Sequence, residues 1–140
     1  MTPWADALYA MDRVWWNAYG KEASGFAGLK CTPITGIAGT QRIHAMGSQN
    51  SGAGAIVLAV TFGARRVILL GYDCQYTDGK AHWHADHPKT MGNAGSVDKW
   101  PKQFADIAKK FSGIDIVNCT RSTALSCFKR AELESELCRR

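Results

Sequence analysis

The chain has 140 residues and a formal charge of +5, with 46% apolar and 21% charged residues. That length carries a prior of one domain spanning residues 1–140, and that balance supports a buried core and argues against a disordered chain. The basic excess favours anionic ligands such as nucleotides and phosphates, but Lys129, Arg130, Arg139 and Arg140 supply much of it near the C-terminus, and no dense Lys/Arg block is interleaved with aromatics, so nucleic acid is not expected as a partner.

The five cysteines (Cys31, Cys74, Cys119, Cys127 and Cys138) are widely spaced and form no CxxC. Neither a zinc ribbon nor a thioredoxin-type motif is supported, and a reduced, cytoplasmic protein is expected. No basic segment followed by an apolar one opens the chain, so no signal peptide is expected. The longest apolar stretch, residues 53–62, is too short to cross a bilayer, and no membrane partner is expected.

Residues 4–12 place small or apolar side chains on both alternating faces, which predicts a short buried strand ending at Asp12. Asp12 is positioned to cap a short helix over 13–17, with Gly20 as its stop. The pair Trp15 and Trp16 is assigned to the core. Residues 29–32 predict a strand, and Pro33 marks an edge or a strand end. Residues 35–54 are rich in Gly, Ser, Thr and Asn; they predict a ligand-wrapping loop with one short strand at 42–46.

The clearest signal comes next. Residues 51–54 are Ser-Gly-Ala-Gly and lead into an almost wholly apolar run to Phe62, which predicts a buried helix closed by Gly63. Residues 66–72 are β-branched and apolar and predict a buried strand. Residues 74–97 form a second polar loop. Trp100, Phe104, Ile107, Ala108 and Phe111 are spaced for an amphipathic helix over 98–111. Residues 114–119 predict a strand, and 131–138 a charged helix. This alternation predicts an α/β fold with a mainly parallel sheet flanked by helices. Ligands of such sheets sit beyond the strand carboxyl ends, where Asp12, Asp73 and Asn118 fall.

Three constellations can carry chemistry. The run His82-Trp83-His84-Ala85-Asp86-His87 holds three of the four histidines. It matches the HxHxDH signature of the metallo-β-lactamase superfamily, but no later histidine completes that ligand set and the β-rich pattern is missing. Three readings of this run stay open. His82, His84, Asp86 and His87 can hold a divalent metal ion; His84 and His87 can act in acid–base catalysis or contact phosphate; or the loop is inert. The helix start at Asn50, Ser51 and Gly52 can present backbone N–H groups to an anion or can simply cap and pack a helix. No P-loop and no GxGxxG pattern occurs. Asp12 and Asp73 can hold ribose hydroxyls or a cation, or cap the elements that follow.

The stretch from Asn50-Ser51-Gly52 through Gly71-Tyr72-Asp73, then His82-Trp83-His84 and Asp86-His87-Pro88, then residues 117–120 with Ser122, Ala124 and Leu125, resembles a set of phage and prophage proteins often labelled morphogenetic. These in turn look like the Rossmann-type domains of bacterial sialyltransferases and of 6-hydroxymethylpterin diphosphokinase-like proteins. The resemblance implies a Rossmann-like fold that handles a nucleotide or nucleotide sugar in the cytoplasm of a bacterial host. It implies ligand contacts from Ser51 and Gly52 and a catalytic histidine at His84 or His87; the helix start adds Asn50, and the strand-end reading adds Asp12, Asp73 and Asn118 as ligand contacts. Gln75 stands where the sialyltransferases carry a phosphate-binding tyrosine. The relatives open with a glycine-rich strand-loop of the type Gly-x-Gly-Pro-Ser; this sequence starts at what looks like their second strand. That departure implies an incomplete phosphate site, an open sheet edge suited to a homo-oligomer, and reduced transferase activity. The rival expectations are a non-catalytic protein that binds a phage or host protein, and a metal-dependent hydrolase built on the histidine run.

Overall fold

A parallel pair of strands cannot be closed by a tight hairpin, so every connection must leave the sheet and return. The computed structural model describes residues 4–44, 47–77, 79–80, 87–88, 91–92 and 94–138. All strand pairings in its two sheets are parallel. The chain divides into two compact units, Met1–Leu58 with His87–Gly92, and Ala59–Asp86 with Asn93–Arg140. The sequence predicted one mainly parallel sheet; the described strands instead form two sheets of three.

The first unit holds β1 (Ala7–Tyr9), α1 (Arg13–Ala23), β2 (Leu29–Thr32), β3 (Gln41–Arg42) and most of α2 (Ser51–Thr61). Its sheet order is β1-β2-β3. Strand β2 coincides with the predicted segment and ends at Thr32, just before Pro33. Helix α1 runs past Gly20, the predicted stop, to Ala23. The reason is tertiary: Ala23 is fully buried and joins Ala10 and Trp16 in a cluster flanked by Leu8, Trp15, Ile34 and Ile37. The Ser24 N–H donates to the Gly20 carbonyl at 2.9 Å, so the glycine sits inside the last turns. Asp12 occupies the N-cap position, but its side chain makes no capping bond. A second cluster joins Cys31, Ile43 and Leu58 with Ala7 and Tyr9.

Helix α2 is apolar because it is buried, with Ala53, Gly54, Ile56, Val57 and Leu58 all inside. Gly54 is required by close approach. A Cβ there would lie 2.4 Å from the Tyr9 ring and 2.5 Å from its hydroxyl oxygen. Tyr9 therefore lies flush against the first turns of α2.

The second unit holds the end of α2, β4 (Arg66–Leu69), a 3₁₀ turn (Val97–Lys99), α3 (Trp100–Lys110), β5 (Asp115–Asn118), β6 (Lys129–Arg130) and α4 (Leu133–Leu137). Its sheet order is β4-β5-β6, with Arg66 opposite Asp115 and Leu69 opposite Asn118. Strand β4 stops three residues short of the predicted end. Gly71 has φ of +73° and turns the chain out of the strand. The Tyr72 N–H then donates to Thr120 Oγ1 at 2.9 Å instead of to a strand partner. Helix α3 begins at Trp100 because Pro101, which lacks an N–H, is tolerated only in a first turn. Its Phe104 packs edge-on against Tyr72 and Phe128, with ring centroids 5.6 and 6.3 Å away. Strand β6 was not predicted. Helix α4 is shorter than predicted and is not simply a solvated charged helix: Glu136 is buried and pairs with Arg66 and, at 3.4 Å, with Lys129. Arg66 also meets Asp115 at 3.4 Å. One charge network thus ties α4 to all three strands.

Gly54→Ala should destabilise the fold. The gain in helix propensity is about 1 kcal/mol, while overpacking against the Tyr9 ring costs roughly 1–3 kcal/mol. Urea titration should show a lower midpoint with an unchanged slope, and an equal or higher midpoint would show that the ring moves aside freely.

Candidate functional site at the strand carboxyl ends

In the second unit, the loops after β4 and β5 are laced together. Asn118, the last residue of β5, is fully buried. Its Oδ1 accepts the Thr120 N–H at 3.0 Å and its Nδ2 donates to Thr123 Oγ1 at 3.3 Å. The Thr123 hydroxyl donates to the Tyr72 carbonyl at 2.6 Å and accepts the Leu125 N–H at 3.0 Å. The Ala124 N–H donates to the Asp73 carbonyl at 2.8 Å, and Gln75 Nε2 donates to Ser122 Oγ at 2.7 Å. Arg130 closes the loop from below: its guanidinium donates to the carbonyls of Asn118, Thr120 and Arg121. Asp73, Gln75 and Asn118 are therefore gathered in one cluster, while Asp12, expected on the same edge, belongs to the other unit. Asn118 holds the loop rather than offering a free amide. Thr123 and Arg130 carry the lacing, and the sequence reading missed both. A polar Asn-Cys-Thr-Arg-Ser-Thr run after a strand signals side-chain-to-backbone turns, but Arg130 was counted only as terminal charge.

Cys74 sits in this cluster with φ of +50°, a left-handed conformation uncommon for a residue with a Cβ. Burial, then Asp73, then Cys127 push its thiol up to about 12. It is a neutral thiol at pH 7 and a poor nucleophile. Burial, with a smaller push from Cys74, also raises the Tyr72 phenol to about 12.

In the first unit, the ends of β1 and the start of α2 are joined. The Met11 N–H donates to Ser51 Oγ at 3.2 Å. Asn50 Oδ1 accepts the Ala53 N–H at 2.8 Å and so caps α2. The structure brings Asp12, Asn50, Ser51 and Gly52 into one region, with the Asn50 and Ser51 side chains engaged inside the fold. The Tyr9 ring and hydroxyl face the first turns of α2. Burial raises the Tyr9 phenol, opposed in part by the nearby Ser48 hydroxyl.

His87 belongs to this unit and is held by α1. Its Nδ1 lies 3.3 Å from the Tyr19 hydroxyl, and the two rings meet edge-on at 6.2 Å. Tyr19 in turn stacks at a tilt on Trp15, 5.4 Å away. His82, His84 and Asp86 lie outside the described residues. Among the described residues, no group of three or more His, Cys, Asp or Glu side chains is gathered as for a metal ion. No helix among them is long and apolar enough to cross a membrane. No family model, curated protein or solved structure matches the chain.

Stability should fall in alkali. Below pH 9 the Cys74 thiol and the Tyr72 phenol are neutral in both folded and unfolded chains. Between their ordinary values, 9.0 and 10.0, and the folded values of about 12, only the unfolded chain ionises, so the folded state loses ground as pH rises. Urea midpoints at pH 8 and pH 11 should differ clearly in that direction. At pH 8, iodoacetamide should label Cys74 at least about tenfold more slowly than the exposed Cys138.

Proposed function

We propose that the chain binds a nucleotide or nucleotide sugar at the carboxyl ends of its parallel strands, in a Rossmann-like, transferase-like arrangement. One observation carries the reading, in each unit by itself: in the first, Asp12 follows β1 and Ser51 is hydrogen-bonded to the chain leaving β1; in the second, Asp73 and Gln75 follow β4 and Asn118 ends β5. Ligands of parallel α/β sheets bind at such edges because strand-end loops and helix N-termini converge there.

The side chains divide the work as follows. The backbone at Ser51 and Gly52 opens α2 and offers a positive dipole end to phosphate. Asp12, whose carboxylate caps nothing, would take sugar hydroxyls or a divalent cation. In the second unit Asp73 would do the same and Gln75 would contact phosphate, on a loop that Asn118 holds in place. His87, oriented by Tyr19, is the base. His84 shares that role in the resemblance that motivates this reading.

A second reading is a non-catalytic protein that binds a phage or host protein. The observation favouring it is that both the Asn50 and the Ser51 side chains are hydrogen-bonded within the fold.

A thermal-shift screen of nucleotides and nucleotide sugars, with and without Mg²⁺, Mn²⁺ and Zn²⁺, separates these readings. A ligand at about 100 times its Kd stabilises the folded chain by about 2.7 kcal/mol. A cytidine or guanosine nucleotide should raise Tm, and His87→Ala should abolish transfer while keeping that shift. A shift with metal alone would move the assignment to a hydrolase site on the histidine run. No shift with any compound would leave the interaction protein.

A further inference from the structure

Helix α1 carries a second feature, built wholly within the first unit and separate from the strand-end residues just assigned. A groove of about 640 Å³ lies between one stripe of α1, the middle of β2 and the loop after β2. Among the described residues three cations line it, Arg13 and Lys21 from α1 and Lys30 from β2, and no carboxylate does. Arg13 and Lys21 are eight residues apart on the helix, which spaces them by about 12 Å along its axis. A single small anion reaches one of them; an extended anion reaches both.

Two of the three cations are pre-positioned by hydrogen bonds to neutral oxygens. Arg13 Nη2 donates to the Thr35 carbonyl at 2.7 Å and Lys30 Nζ to the Phe26 carbonyl at 2.8 Å. Each bond engages a neutral oxygen and one donor of several, so the full charge and further N–H groups remain for a ligand. The opposite wall is the loop from Gly36 through Ile37 and Ala38 to Gly39. Gly36 and Gly39 have φ of +75° and +70°, and a Cβ added at Gly36 would meet nothing within 4 Å. An anion can therefore approach that backbone closely. Trp16, the aromatic residue among the described lining, is 5% exposed, and its indole N–H is bonded to the Ala10 carbonyl at 3.1 Å, which leaves it little surface for stacking on a base.

We propose that this groove is a binding site for a linear oligophosphate chain, recognised through its charge and length rather than through any attached base. The chain can be free, as in inorganic tripolyphosphate, or carried by a nucleoside. The volume fits either.

The test is calorimetric titration of the full chain with orthophosphate, tripolyphosphate, ATP and CTP at low and moderate salt. Tripolyphosphate should bind at least about tenfold more tightly than orthophosphate, and should weaken as salt rises. The part of the ATP and CTP binding that Arg13→Gln removes should be alike for the two nucleotides; equality of that part with tripolyphosphate indicates the free chain as ligand, and a tighter value for both indicates the nucleoside-linked form. Arg13→Gln and Lys21→Gln, on the exposed stripe of α1, should each weaken tripolyphosphate about tenfold while leaving the urea midpoint and the strand-end nucleotide shift unchanged. Equal binding of orthophosphate and tripolyphosphate would overturn the proposal, as would wild-type affinity in both variants. Tighter binding of single-stranded DNA than of tripolyphosphate would also overturn it.

Discussion

Short parallel strands leave each chain reversal to a loop, and a loop packed against a sheet must find partners for its own N–H and C=O groups. This constraint organises both units. In the second unit, β5 ends at a buried Asn118, and a buried amide left unpaired costs about 1–3 kcal/mol. Its two ends are satisfied by Thr120 and Thr123, and those residues bond back to Tyr72. The turn after β5 thereby shapes the turn after β4. Arg130 extends the same lacing into β6, because its guanidinium holds three carbonyls of the loop it follows. In the first unit the constraint is met more simply: the N–H that leaves β1 is taken by the Ser51 hydroxyl.

The second unit is consequently asymmetric. At the strand starts it carries charges bound to charges, with Glu136 joining Arg66 and Lys129. Removing one partner of so buried a group leaves an uncompensated charge and is strongly destabilising. At the strand ends it carries neutral hydroxyls and amides bound to backbone. The strained Cys74 backbone and the raised Cys74 and Tyr72 groups all fall at this second end. A non-glycine residue held in left-handed conformation costs of order 1–3 kcal/mol and persists only where its surroundings over-determine it. The bonds from Asp73 and Gln75, on either side of Cys74, do that.

The sequence made some of this visible and hid the rest for identifiable reasons. Strand β2 was legible because Gly28 and Pro33 bracket four residues. Helix α2 was legible because its apolar run follows a Ser-Gly start. Strand β4 was read too long because its apolar character continues through Leu70 to Tyr72, while the turn at Gly71 is a matter of φ. Helix α1 was read too short because Gly20 resembles a stop, and only the burial of Ala23 carries the helix past it. Strand β6 has two residues and so no period to detect. For the candidate site, the strand-end positions of Asp12, Asp73 and Asn118 could be read from polar residues that follow apolar runs. Their partners could not: Tyr72 bonds residues 48 and 51 positions away, and no local pattern encodes that pairing.

The two sites proposed in the first unit differ in kind, which bears on what each would select. At the start of α2 the proposed donors are backbone groups with fixed directions, so a ligand there would be chosen by hydrogen-bond geometry. Along α1 the proposed donors are long cationic side chains, so a ligand there would be chosen by charge and reach. Arg13 follows Asp12 directly in sequence, yet its guanidinium is aimed at the Thr35 carbonyl. That aim keeps a full positive charge on the groove. A neutral hydrogen bond thus does what an ion pair would have undone: it orders the side chain and leaves its field intact.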